Sequence, residues 1–447
     1  MERIIFLNIF LYNKLYKMKA ITPACLCTTI VCIILLINTG CNAPKQADTN
    51  GYNTTQVFEP GSEAKIAEAF LSMKDSSMIE LKAGTYKFDN LSLAQLKHIS
   101  IKGAGPGVTI LDFSTQSQGG EGIRVTGIKD FTIEGMTLQN SKGDLIKINN
   151  SEDVVIRSLH AIWKVADSTS GGYAIYPVLC KNVLVENCYA EGASDAGIYV
   201  GQSTGAIVRK CKAFKNVAGC EIENTLNAEV YDNEFWGNTA GFLIFDLPGL
   251  SQRGGHVKAY NNYFHDNNEK NFAKAGSFGT ITGVGNAAPG SGAIILAVSN
   301  VELYNNRIIN NNSIAVAIAS GFFVDPKAAE KINDQYFPIS KNISIHDNVL
   351  EMGKSFPGPV YAHHTGKFVV AIEQKLNADD TARRGGRIPL IMYDGISTNI
   401  LTKGTMANPD SICIQQKEMN LFVNADALNI ESKKWKPSTD MSAFTCK

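Results

Sequence analysis

Between residues 121 and 246 a short segment recurs as GIRVTG, LIKINN, AIYPVL, GIYVGQ, GCEIEN and GFLIFD. On a strand, Ile123/Val125, Ile146/Ile148, Ile198/Val200, Cys220/Ile222 and Phe242/Ile244 share one apolar face, so the residues between them share the other. Those outward residues run Arg124, Lys147, Tyr176, Tyr199, Glu221, Leu243, and two positions on Thr126, Asn149, Val178, Gly201, Glu223, Phe245. The series is graded from basic through aromatic to acidic, with Asp195 before its fourth member and Asp246 after its sixth. A sugar chain suits such a surface: aromatic faces stack on rings, basic groups hold carboxylates, and acidic groups move protons. Glu221 and Glu223 are i, i+2, placing their carboxylates about 7 Å apart on one face. The catalytic candidates are Asp195, Tyr199, Glu221, Glu223 and Asp246. The binding candidates are Arg124, Lys147 and Tyr176, with Arg253 and His256 from the loop that follows. Such an acidic cluster can raise one carboxyl pKa or bind Ca²⁺. Gly201 beside Tyr199 leaves a gap for a ligand, and Leu243 and Phe245 need a cover, from residues 247–291 or from a ligand. A solvated strand face is the plainer account of the same residues.

The elements that position these residues follow from a second series. VLVENC, AIVRKC, AEVYDN, HVKAYNN, VELYNN and ISIHDN end at Cys188, Cys211, Asn233, Asn262, Asn306 and Asn348. The spacings are 23, 22, 29, 44 and 42, a period near 22 with insertions. Their anchors Val185, Val208, Val230, Ala259, Leu303 and Ile345 extend backwards to Ile156, Ile133 and Ile101. Two strands per repeat, Gly- and Asn-rich turns and no intervening helix predict a parallel β-helix. Sandwiches and propellers need antiparallel hairpins and periods nearer about 10 or 40. Stacked coils turn like positions into ladders, with Asn side chains bonding turn amides along the axis. SEAKIAEAFLSMK (62–74), with Ile66, Ala69, Phe70 and Met73 on one face and Ser62 as N-cap, predicts a helix that closes the N-terminal end. Long insertions at 246–291 and 321–340 are candidates for function. The expected organisation is a leader at 1–41, a tether at 42–56, the β-helix at 57–384 and a C-terminal cap region at 385–447.

The 447-residue chain balances 42 Lys+Arg against 42 Asp+Glu. Zero net charge argues against nucleic acid as a partner and against a broadly anionic-membrane surface. Residues 25–40 are apolar after Met18-Lys19 and end in Thr39-Gly40-Cys41. This resembles a bacterial lipoprotein signal with Cys41 as the lipidated residue, although Asn38 stands where Leu is usual. An uncleaved anchor is the alternative. The expected location is therefore the bacterial cell envelope, as a monomeric outer-membrane lipoprotein. Cys413 and Cys446 are the best disulfide pair. Cys188 and Cys211 are expected to stack in the core, and the pairing of Cys180 and Cys220 is left open. His363-His364 would face opposite ways on a strand and share no metal.

With these ladders, the cap helix and the IELKAGTY opening, residues 62–350 resemble the right-handed parallel β-helix superfamily of pectate lyases, polygalacturonases, alginate lyases and C5-epimerases. SDAGIYVGQS (194–203), GCEIEN (219–224), NTAGFLIFDLPGL (238–250) and NNYFHDNN (261–268) look like an uncharacterised family of envelope β-helix repeat proteins. The resemblance implies a polysaccharide partner. No polygalacturonase-like aspartate trio, WIDH or DPHD is present, so no catalytic residue carries over. The expected function is binding an acidic polysaccharide and modifying it by β-elimination or C5 epimerisation, with Arg124 or Lys147 neutralising the uronate and Tyr199 as acid or base. The alternatives are glycoside hydrolysis and a non-catalytic glycan- or protein-binding lipoprotein.

Overall fold

Ile101, Ile133, Ile156, Val185, Val208, Val230, Ala259, Leu303 and Ile345 are register partners on successive parallel strands. All nine are buried. The structure, a computed structural model, describes residues 51–274, 283–352, 364–379, 390–416 and 422–446. The leader, Cys41, most of the tether and His363 lie outside them. The chain from Tyr52 to Lys447 forms one unit, a right-handed parallel β-helix.

The central coils carry three strands where the alternation shows only two. One coil runs Ala196–Gly201, Thr204–Arg209 and Lys212–Phe214 before the next begins at Ala218–Glu223. The third strand, of three residues, is too short to display an alternating pattern. Three bends separate the strands. In the bend after the second strand, residues such as Asp232, Asn261 and Asn305 take positive φ, which Asn and Asp tolerate better than most residues. The next residue then begins an Asn ladder. Asn262 Oδ1 accepts from the Asn233 amide (3.1 Å) and side chain (2.9 Å), and Asn306 and Asn348 repeat the pattern. Cys188 and Cys211 head this ladder and are buried, with the Cys211 amide bonded to Asn233 Oδ1 at 2.9 Å. A second ladder, Asn216–Asn238–Asn267–Asn311, stands at the bend after the third strand and was not read from the repeat.

The ends differ from expectation. Thr54–Phe58, partly inside the expected tether, already pairs with Ser77–Leu81. The helix Glu63–Ser72 buries Ile66, Ala69 and Phe70, but the Ser62 side chain makes no capping bond. At the other end the ladders do not stop at 384. Ile391–Tyr393 and Phe422–Asn424 extend the second sheet, and Ile412–Gln415 extends the first. Cys413 and Cys446 are disulfide-bonded, with Cα atoms 4.8 Å apart. A helix at His364–Asp379, with no counterpart in the repeat, packs Val369, Ile372 and Leu376 against Ile314, Ala317, Met392 and Val423. It lies on the second sheet, the one that carries the graded series.

Candidate functional site

The graded residues are ladder neighbours as expected. Arg124 pairs with Lys147, Lys147 with Tyr176, Tyr199 with Glu221 and Glu221 with Leu243. Arg124 is exposed, but from Tyr199 onward the face, although outward from the core, is not open to water. Tyr199, Glu221, Asp195, Leu243 and Asp246 are all buried, and Glu221 is only 2% exposed. The expectation of an exposed stripe is corrected here: segments far along the chain cover it. Ala287 and Val284 of the 246–291 insertion pack on Leu243, Tyr199 and Ala240. Phe323 and Val324 of the second insertion and Thr365 and Val369 of the helix join the cover.

Sheet and cover enclose a cavity of about 120 Å³. Its walls are largely apolar, with Leu243, Phe245, Val284, Ile294 and Met392 among them. Its acidic wall is Asp195, Glu221 and Glu223, with Tyr173 beside Asp195 and Asp394 also in the lining. Three of the five catalytic candidates therefore meet there.

The other two do different work. Tyr199 donates from its hydroxyl to Glu223 Oε2. It can do so because residue 201 is glycine: a Cβ there would lie 1.9 Å from the Tyr199 hydroxyl. The gap that Gly201 leaves is filled by Tyr199's own ring rather than by a ligand. Asp246 is turned to its loop, where both carboxylate oxygens accept from the Gly254 amide at 2.9 and 3.0 Å.

The binding candidates do not line the cavity. Arg124 is held by Glu121. Lys147 Nζ sits 4.5 Å above the Tyr176 ring, and Tyr176 packs against Tyr173 and Tyr199 at 4.4 and 4.8 Å. Arg253 lies over Phe337 at 5.6 Å. His256 belongs to the first sheet; it is the second residue of the strand Gly255–Tyr260, with φ 55°, level with Asn227 and Asn300, whose φ is also positive. It is a bend residue and plays no part in the site.

Burial dominates the electrostatics. It pushes Asp195 up to about 8, against a Tyr173 hydrogen bond that pulls it down, and the charges of Glu223 and Asp144 add to the rise. Glu221 is pushed well above the ordinary carboxyl range by burial and then by Asp195 and Glu223. Glu223 rises by burial to about 7, moderated by the bond from Tyr199. Asp394, buried and bonded to the Ser320 amide (2.7 Å) and hydroxyl (2.8 Å), is raised to about 6. The Tyr199 phenol is itself driven up by burial and by Glu223, so it serves as a proton donor rather than as a phenolate base. Among the described residues that line the cavity, one buried side-chain atom has no hydrogen-bond partner, Oε1 of Glu221. Among the described residues no three His, Cys, Asp or Glu side chains converge as metal ligands, so the cluster is not arranged as the Ca²⁺ site considered from sequence.

Sequence reasoning missed Tyr173 and Asp394. Tyr173 stands at the register level where the next coils carry Ala196, Ala218 and Ala240. A tyrosine at the head of an alanine run, after Glu121 and Asp144 at the same level, was a legible signal. Asp394 comes from a coil beyond the recognisable repeat.

Residues 97–249 match the family model described as "Right handed beta helix region". No curated protein matches the chain. Among solved structures, the chain is similar to the Azotobacter vinelandii mannuronan C-5 epimerase AlgE6 A-module, at 14% identity and TM-score 0.49, covering 80% of this chain and 82% of that one. It is also similar to an exopolygalacturonase from Thermotoga maritima (15% identity, TM-score 0.42, 63% and 76% covered). A third is a mannuronic acid specific polysaccharide family 6 lyase from human gut microbiota (11% identity, TM-score 0.44, 81% and 87% covered). At these identities no residue role transfers.

Proposed function

We propose that this right-handed β-helix chain is a carbohydrate-active protein that takes the end of a polysaccharide into the covered cavity and cleaves it with a pair of carboxyl groups. The observation that carries the reading is the pair Glu221 and Glu223, two residues apart on one strand, both lining one cavity and raised to different extents. At neutral pH Glu221 is protonated and able to donate to a leaving oxygen. Glu223, near 7, is poised to accept a proton. The spacing of about 7 Å suits a water between the two groups, as hydrolysis with inversion needs. Tyr199 positions Glu223 and does not act on the sugar. At about 120 Å³ the cavity is smaller than the roughly 150 Å³ one that accepts benzene, so it has room for no more than a single sugar unit, hence action at a chain end.

Uronate elimination or epimerisation is less well supported, because Arg124 and Lys147 are engaged outside the cavity. Residues 51–447 should be offered a glycan panel and assayed for new reducing ends and for absorbance of unsaturated uronates. Reducing ends without that absorbance are expected. The absorbance would favour elimination, and neither signal, with binding retained, would leave a non-catalytic glycan-binding protein. We also propose the envelope location, through lipid on Cys41. Cys41→Ser should move the protein out of the membrane fraction, and unchanged retention would favour an uncleaved anchor.

A further inference from the structure

The cavity presents a buried carboxyl oxygen that has no hydrogen-bond partner. Glu221 is 2% exposed, lines the cavity, and leaves Oε1 without any partner. Asp195 lies one coil before it and Glu223 two residues after it, both on the same cavity. Asp394, in the same lining, is already satisfied by Ser320 and Ile396. The hydroxyls of Thr365 and Ser291, also in the lining, donate to the carbonyls of Asn286 and Ala288, both at 2.8 Å. The group in search of a bond is thus an acid among acids, beneath an apolar cover.

We infer that the sugar unit this cavity receives is an amino sugar with a free ammonium group, seated against Glu221, Asp195 and Glu223. The inference rests on the reading that the cavity holds a sugar, and it names the class of that sugar. An ammonium supplies a donor to Glu221 Oε1, and its charge lets Asp195 in the same lining ionise inside a low-dielectric site while Glu221 keeps the proton it gives to the leaving oxygen. A uronate would bring one more negative charge among groups that already repel one another, and an N-acetyl group would bring a donor without the charge. The apolar walls suit the ring carbons and the small volume admits one ring. In the free protein the acids facing the pocket are held protonated, by burial first and then by one another. Seating a cation therefore expels a proton from the protein into solution.

The proton gives a readout that mere affinity would not. A β-1,4-linked glucosamine trimer, its N-acetylated counterpart and a uronate trimer are titrated calorimetrically into residues 51–447 at pH 6, in two buffers of different ionisation enthalpy. The glucosamine trimer is expected to bind about tenfold more tightly than the N-acetylated one, with release of about one proton. Asp195→Asn should abolish most of the preference and the proton release, while its melting temperature, equal to or above wild type, reports an intact fold. Equal or tighter binding of the N-acetylated or uronate trimer overturns the inference and leaves the glycan reading standing. Binding by none of the three overturns both.

Discussion

Glu186 and Glu221 are both buried glutamates on outward faces of the same solenoid, and the coil treats them in opposite ways. Glu186 on the first sheet belongs to a chain of alternating charge. Arg157 reaches Glu134 at 3.5 Å and Glu186 at 3.1 Å, and Arg209 reaches Glu186 at 2.7 Å. Burial pushes the Glu186 carboxyl up, but the bonds from Arg157 and Arg209 outweigh it and the pKa is lowered. Glu221 on the second sheet has a tyrosine on one side and a leucine on the other, and its pKa is raised. Tyr231, Tyr260, Tyr304 and His346, stacked at 4.9, 5.0 and 5.2 Å, extend the first-sheet pattern in another chemistry. On the first sheet these residues answer the coil before, by opposite charge, by like ring, or by a hydrogen bond such as that from Arg209 to the Tyr231 hydroxyl (3.0 Å). On the second, residue type changes from coil to coil and its acids are left to one another. In a solenoid, ladders whose members satisfy each other hold coils together. A ladder that leaves its members unsatisfied is where a ligand belongs.

The sharpest break of this comparison exchanges a carboxylate for an amide on each sheet. Glu223→Gln should lower kcat by about 10² to 10⁴, the range typical of a lost acid–base group, while Glu186→Gln leaves kcat within about twofold. Similar losses from both would mean that the second-sheet acids act only through the fold. The two sheets should also separate on a pH axis. Asp195 is raised from 3.8 to about 8 and Glu223 from 4.5 to about 7. A raised carboxyl binds its proton more tightly folded than unfolded. Its contribution is fully present below about pH 4, falls as pH rises, and is gone above about pH 8. Thermal melts should therefore decline from pH 5 to pH 8.5, and Asp195→Asn should flatten that decline. A melting temperature that rises over this range would contradict the buried, protonated cluster.

Next in size is Gly201→Ala. The new methyl would displace the Tyr199 hydroxyl from Glu223. That bond holds the Glu223 pKa down, so its loss should move the rising limb of the kcat profile to higher pH and lower the rate at pH 7 about tenfold. An unshifted profile would deny Tyr199 its positioning role. Gly201 also marks where sequence reasoning ended. Inward positions and the Asn at the bend repeat every coil, so register was legible from Ile101 to Ile345, and the outward series followed from it. Whether that series met water was not legible. Its cover comes from Val284, Ala287, Val324 and Val369, which belong to no repeat and lie up to 170 residues from Tyr199 (199→369). The C-terminal coils escaped notice for a similar reason. The strands at Ile391, Ile412 and Phe422 span only three or four residues each, with long intervening segments.

The smallest expected effect tests the other half of the comparison. If the first-sheet charges act only to hold coils together, Glu186→Gln should cost stability and nothing else. The cost should be modest, about 1 kcal/mol or less, because Arg157 and Arg209 stand partly in solvent and their attraction to Glu186 is screened. Since the Glu186 pKa is lowered in the fold, its contribution is present above the unfolded value near 4.5 and lost as pH falls through the folded one. The melting difference between wild type and Glu186→Gln should therefore be seen at pH 7 and vanish towards pH 3, opposite in sense to the effect of Asp195→Asn. Raising salt should shrink it as well, since paired surface charges are screened and a buried protonated cluster is not. A Glu186→Gln difference that grew on acidification would place Glu186 with the unsatisfied acids and erase the distinction between the two sheets.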